Sequence, residues 1–233
     1  MSISHTSKHF DAELERLRKR VLEMGGLVEQ QIRNSVEALR THDAKLAAQV
    51  IADEERVNRM EREIDEECVQ LLARRAPAAL DLRFVLMAYK VITDLERVGD
   101  EAKKIASMAE RLQLSEHRSP GFPEIAIIAE LVTDMLRRAL DALARAESSD
   151  IPEVIRSDLE VNERFHAILR ALLTYMIEDP RTISASIDTL WIAKALERIG
   201  DHAKNISEYA IYMIKGEDVR HASLEELERA AKS

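Results

Sequence analysis

Two acidic pairs at helical spacing are the side chains of this chain best placed to do chemistry. Glu96 and Asp100 lie four positions apart, as do Glu197 and Asp201, so on a helix each pair stacks its carboxylates on one face. Like charges at that spacing repel by about a few tenths of a kcal/mol, so something else must favour them. The preceding segments offer it: Glu54 with Asn58, and Asp158 with Asn162, repeat the same four-residue step on the flank of another apolar seam. If the two helices run antiparallel with these flanks facing, three carboxylates and one amide oxygen converge in each case. An all-oxygen set suits a hard divalent cation, Mg²⁺ or Mn²⁺ foremost, with Fe or Zn as further options. The competing reading is an ordinary charged flank, with Asp100 paired to Lys103 or Lys104 and Glu96 to Arg97 or to a basic residue of another helix.

The acidic pairs belong to a duplication. Leu95-Glu96-Arg97-Val98-Gly99-Asp100 returns 101 residues later as Leu196-Glu197-Arg198-Ile199-Gly200-Asp201, with Ala102, Lys103 and Ile105 matched by Ala203, Lys204 and Ile206. Upstream the offset is 104, from Val28 and Val132 through Val57 and Val161 to Ile64 and Ile168. The three-residue difference falls near Arg75-Ala76-Pro77 and Glu178-Asp179-Pro180, where Pro ends a helix and loop length can vary. We therefore expect a first repeat over 1–115, a second over 122–216 and a tail over 217–233, the repeats joined by the Ser-, Pro- and Gly-bearing run from Ser115 to Pro123.

The elements that must position these residues are helices. The chain is rich in strong helix formers, with 4% aromatic residues, six Gly and five Pro among 233 residues. Leu14, Leu17, Val21, Met24, Val28, Ile32, Val36 and Leu39 mark one long helix face. Val50, Val57, Ile64 and Leu71 mark a second, and Val91, Leu95, Val98, Ala102, Ile105 and Ala109 a third, whose copy runs from Ile192 to Met213. A fifth helix should start near Ser149-Asp150 with Pro152 in its first turn, and Ser223 with Glu226 reads as a capping box before Leu227. The fold class is all-α: two tandem three-helix bundles, antiparallel and joined by short turns.

Other chemistries fare worse. Glu163-x-x-His166 is the only Glu-x-x-His motif, where a di-iron bundle wants two, and there is no phosphate-cradling Gly loop. His202 is unmatched in the first copy, where Glu101 stands, and reads as a solvated helix residue. Trp191, Tyr209 and Tyr212 are spaced like core or interface residues, core foremost. Cys68, alone and on an apolar phase, reads as a buried small hydrophobe. Gly99 and Gly200 imply a close approach by a helix or a ligand, and Gly25-Gly26 a facing contact or a kink. A net charge of -9 argues against nucleic acid, and without an export signal or a long apolar run we expect a cytoplasmic protein.

The chain also resembles the PhoU family, regulatory proteins of bacterial phosphate-specific transport. The resemblance rests on Phe10-Asp11-Ala12-Glu13-Leu14, on Met24 to Gln31, on Asp81-Leu82-Arg83-Phe84, on both hexapeptides and on Ile211 to Gly216. It implies a cytoplasmic, often dimeric, non-enzymatic negative regulator of phosphate uptake and phosphate-starvation signalling. Its implied partners are the phosphate ABC transporter's ATPase and the sensor histidine kinase, so any membrane association is peripheral and runs through them. It further implies that acidic (E/D)xxxD motifs bind metal, which maps onto Glu96/Asp100 and Glu197/Asp201, with Glu54/Asn58 and Asp158/Asn162 as partner pairs. Here both partner pairs end in Asn, a neutral and weaker ligand. A helical metalloenzyme and a passive scaffold are the alternatives.

Overall fold

The computed structural model describes residues 8–75, 77, 79–114, 123–219, 222 and 224–232. Among the described residues seven helices follow one another: α1 (Lys8–Thr41), α2 (Ala44–Arg75), α3 (Ala79–Leu114), α4 (Pro123–Arg145), α5 (Ile151–Glu178), α6 (Ile183–Lys215) and a short α7 (Leu224–Lys232). A 3-10 turn, Pro180–Thr182, joins α5 to α6. No strand occurs among the described residues. The expected run from Ser115 to Phe122 and the cap residue Ser223 lie outside the described residues, and Pro123 opens α4.

Each seam read from the sequence is buried, because positions three and four apart on a helix share a face. Leu17, Met24, Val28 and Ile32 of α1, Val57 and Ile64 of α2, and Leu95, Val98 and Ile105 of α3 are fully enclosed, as are Leu196, Ile199 and Ile206 of α6. Burying each such side chain contributes about 1.5–3 kcal/mol. α1, α2 and α3 pack as one up-down-up bundle, α4, α5 and α6 as the other, and a single apolar core runs through both.

The duplication extends to backbone detail. His42 and Ala146, 104 residues apart, both adopt the left-handed conformation at the corner after their helices, with φ of 55° and 53°. In each corner the amide of the next residue donates back into the helix end, Asp43 to the Ala38 carbonyl and Glu147 to that of Ala142. The first corner hands over to α2 through Asp43, whose carboxylate accepts from the amides of Lys45 and Leu46.

The two copies meet along antiparallel helix pairs. Arg18 of α1 donates to the Ala144 carbonyl of α4, and a Cβ on Gly25 would stand 2.5 Å from Leu140 Cδ1. Gly25 therefore marks a facing contact rather than a kink. The longer seam joins α3 to α6 through polar pairs whose carboxylates are buried. His202 Nδ1 lies 2.6 Å from Asp94 Oδ1, Asn205 donates to the same oxygen, Arg198 pairs with buried Glu101 at 3.1 Å and Arg111 with buried Asp188 at 2.9 Å. His202, expected in solvent, is only 7% exposed, because it reaches across to Asp94 on the other copy. Trp191, expected in the core, is 59% exposed: Ile192, one position on, takes the inward phase and turns Trp191 out. Tyr209 and Tyr212 do pack against the core.

Candidate metal centre

The antiparallel pairing of α2 with α3, and of α5 with α6, puts the acidic flanks face to face. In the first copy Glu54 is the hub. Its Oε2 accepts from Lys103 Nζ at 2.9 Å, and its Oε1 accepts from the Asn58 amide one turn on. Burial alone would push the Glu54 carboxyl up, but the hydrogen bonds from Lys103 and Asn58 and the ammonium charge hold it below the usual carboxylate range.

Glu96 shows the opposite balance. Burial pushes its carboxyl above the usual range, and the charges of Asp100, Glu61 and Glu54 add to the push, with Arg97 opposing. Glu54, Glu96 and Asp100 are thus electrostatic neighbours. Glu61 is a fourth, and its own carboxyl is pushed up by burial and by Asp65. Sequence reading passed over Glu61, although it continues the step from Glu54 and Asn58 by three more residues on the same flank of α2.

The second copy repeats the arrangement. Lys204 Nζ donates to Asp158 Oδ2 at 3.2 Å, as Lys103 does to Glu54. Glu197 is held instead by Lys194 of its own helix at 2.6 Å, and Lys194 also stands 5.3 Å from the centre of the Phe165 ring. Phe165 occupies the place of Glu61, 104 residues on. Asp201 lies open to solvent on one side, yet its carboxyl is pushed up by burial against the helix wall and then by Glu197 and Asp158, with Lys194 and His202 opposing. Asn162 is half-buried on the same flank of α5. The alternative pairing of Asp100 with Lys103 or Lys104 does not occur, for Lys103 reaches across to α2 and Lys104 turns back to Glu101.

As the side chains stand, no three His, Cys, Asp or Glu among the described residues are grouped to hold a metal ion. The acidic flanks close on lysines rather than on a common point. The donor chemistry nevertheless fits a hard cation. Asn58 Oδ1 and Asp158 Oδ1, one in each copy, are buried oxygens without a hydrogen-bond donor, and Asp158 is only 2% exposed. Both are acceptors with lone pairs to give.

Helix packing explains Gly99 but not Gly200, where a Cβ would make only ordinary van der Waals contacts. A Cβ on Gly99 would meet Gln31 Oε1 at 3.2 Å and Val57 Cγ1 at 3.3 Å, and one on Gly200 would meet Val132, Met135 and Val161 at 3.5–3.6 Å. Cys68 is enclosed and its thiol is pushed up to about 12 by burial, which keeps it inert.

These carboxyls make stability depend on pH in a defined direction. A folded-state value above the unfolded one stabilises at low pH, and the benefit is lost as pH rises through the folded value. Glu96 and Asp201 are therefore liabilities at neutral pH, whereas Glu54, held low, contributes above the unfolded carboxylate value and loses its contribution as pH falls through the folded one. The double variant Glu96→Gln, Asp201→Asn is expected to melt about 1–2 °C above the parent at pH 7 in chelator, with no gain at pH 4. Thermal unfolding followed by circular dichroism reads both values.

Comparison with known proteins agrees with the internal repeat. The model of the PhoU domain family matches twice, over residues 21–109 and 125–210. The phosphate-specific transport system accessory protein PhoU homolog of Pseudomonas putida is 49% identical, covering 96% of this chain and 87% of that one. The accessory protein PhoU of Escherichia coli (strain K12) is 40% identical over 97% of this chain and 93% of its own. The crystal structure of PhoU from Pseudomonas aeruginosa superposes with a TM-score of 0.86 at 46% identity, covering 89% of this chain and all of that one, 100%. That of the phosphate transport system regulatory protein PhoU from Streptococcus pneumoniae gives 0.83 at 28% identity, covering 90% and 99%. With both repeats matched and whole-length relatives this similar, the chain belongs to the PhoU family.

Proposed function

We propose that this protein is a cytoplasmic negative regulator of phosphate uptake and phosphate-starvation signalling. It acts as a non-enzymatic adaptor between the ATPase of the phosphate ABC transporter and the sensor histidine kinase, and its acidic flanks take up divalent cations. Membership of a family whose curated relatives are named as accessory proteins of phosphate-specific transport supports the setting. No helix among the described residues is long and apolar enough to cross a membrane, which fits a protein that reaches the membrane through partners.

The adaptor part rests on one observation, a duplicated exposed apolar stripe. Leu82 and Leu86 of α3, with Val69 of α2, have their counterparts in Ile183 and Ile187 of α6, with Leu173 of α5, and all six are exposed. α3 and α6 are antiparallel, so the stripes lie toward opposite ends of the molecule. Exposed apolar patches of this kind mark protein contacts, and two of them give one molecule two places to hold partners. A bound divalent cation would neutralise the acidic flanks, held by Glu54, Asn58, Glu96 and Asp100 in one copy and by Asp158, Asn162, Glu197 and Asp201 in the other.

Deleting the gene is expected to derepress phosphate-starvation promoters in high phosphate, read with a reporter fusion. The wild-type chain should restore repression, and the folded variants Leu82→Glu with Leu86→Glu, and Ile183→Glu with Ile187→Glu, should restore it poorly. Unchanged repression in the deletion strain would overturn the reading. Full rescue by both stripe variants would remove the stripes from it.

A further inference from the structure

We propose that Lys103 and Lys204 are tethered counter-cations, which hold the two acidic flanks closed and must be displaced before a divalent cation can bind. The proposal rests on the reading of these flanks as cation sites and adds a regulator to it. The same lysine stands three residues after the last Asp of each hexapeptide, at Lys103 and at Lys204. Each crosses to the same position of the preceding helix, Glu54 or Asp158, at 2.9 and 3.2 Å. The accepting carboxylates are buried, 8% and 2% exposed, while each ammonium arrives from the solvent edge. Sequence repeat and geometric repeat therefore agree on one device installed twice.

A lysine in that place solves the electrostatic problem of the flank only in part. In the first copy Lys103 pairs with Glu54 at 2.9 Å and its charge also acts on Asp100 and Glu55, while Arg97 opposes at Glu96 and Arg62 and Arg97 at Glu61. In the second copy Asp158, Glu197 and Asp201 have both Lys204 and Lys194. Each flank also keeps a buried acceptor oxygen that the lysine does not satisfy, Asn58 Oδ1 and Asp158 Oδ1. An ammonium brings one charge and three donors on a flexible stem; a divalent cation brings two charges and can accept six or more oxygens. Exchange of one for the other frees the lysine into solvent, and the copy with the larger excess of carboxylates should exchange first.

The test uses metal-stripped full-length protein and MnCl₂ titrations, with free Mn²⁺ read by electron paramagnetic resonance. Lys103→Met and Lys204→Met are expected to tighten Mn²⁺ binding at their own sites, by about tenfold at the first. A second measurement needs no variant. Amine acetylation of the wild-type chain, mapped by mass spectrometry with and without Mn²⁺, should show Lys103 and Lys204 becoming several-fold more reactive, with Lys194 following as Glu197 turns to the cation, while lysines away from the two flanks stay unchanged. If the wild type binds Mn²⁺ and neither lysine's reactivity nor the variants' affinity changes, the tethered-cation role is overturned and the cation sites stand. If neither the wild type nor the lysine variants bind Mn²⁺ or Mg²⁺, both readings fall.

Discussion

Asp94→Ala is expected to destabilise the protein by about 3 kcal/mol, or roughly 6–12 °C in melting midpoint for a chain of this size. Asp94 is 3% exposed and its Oδ1 accepts from Asn205 at 3.3 Å while facing His202 Nδ1 at 2.6 Å. Truncation removes that acceptor and strands two polar side chains in the seam between the copies, which is the costly half of any buried hydrogen bond. Asp94→Asn keeps an acceptor oxygen in place and should cost only about 1 kcal/mol. Urea unfolding of both variants measures the difference. A loss below about 0.5 kcal/mol in Asp94→Ala would mean that His202 and Asn205 find water, and that the seam is looser than its geometry.

The second large effect concerns neighbouring glycines of α1 that should respond in opposite directions. Gly25→Val should destabilise by about 2–3 kcal/mol, because a Cβ there already meets Leu140 Cδ1 at 2.5 Å and two further methyls would press α1 away from α4. A single Cβ could be accommodated by rotating the end of Leu140, so Gly25→Ala should cost far less. Gly26 has nothing within 4 Å of a Cβ and is exposed. Gly26→Ala should therefore stabilise by about 0.5–1 kcal/mol through helix propensity and a less free unfolded chain. Pairing Gly25→Val with Leu140→Ala gives a double-mutant cycle, and the expected coupling is about 1–2 kcal/mol. Strictly additive losses would show that the two helices do not meet at that point.

Much of this was legible in the sequence, because helical periodicity and internal repetition are both written one residue at a time. Val57, Leu95 and Ile199 had to face inward once their seams were recognised, and the acidic flanks beside them had to follow. The partners of those flanks were not legible. Whether Lys103 meets Asp100 on its own helix or Glu54 across the bundle depends on the rotation and register of α2 against α3, which no spacing within α3 records. His202 was misplaced for a related reason. Its counterpart is Glu101 and the counterpart of Asp94 is Ala195, so comparing the copies with each other could not bring the pair to light. Glu61 was missed because Phe165 holds its place in the second copy, and duplication was the signal being followed.

The asymmetry between His202 and Glu101 bears on assembly. Two halves of the same fold in one chain invite mispairing, in which the first half of one molecule docks on the first half of another. Such a pairing would set Asp94 against Glu101 of the second molecule, carboxylate to carboxylate, twice by symmetry. Arg97 could stand in for Arg198, but Arg111 would find Met87 where Asp188 belongs. Pairing within the chain instead gives Asp94 its His202, Glu101 its Arg198 and Arg111 its Asp188. These differences between the copies thus favour pairing within the chain over pairing of the first half with its own twin, which works against swapped oligomers while a duplicated chain folds.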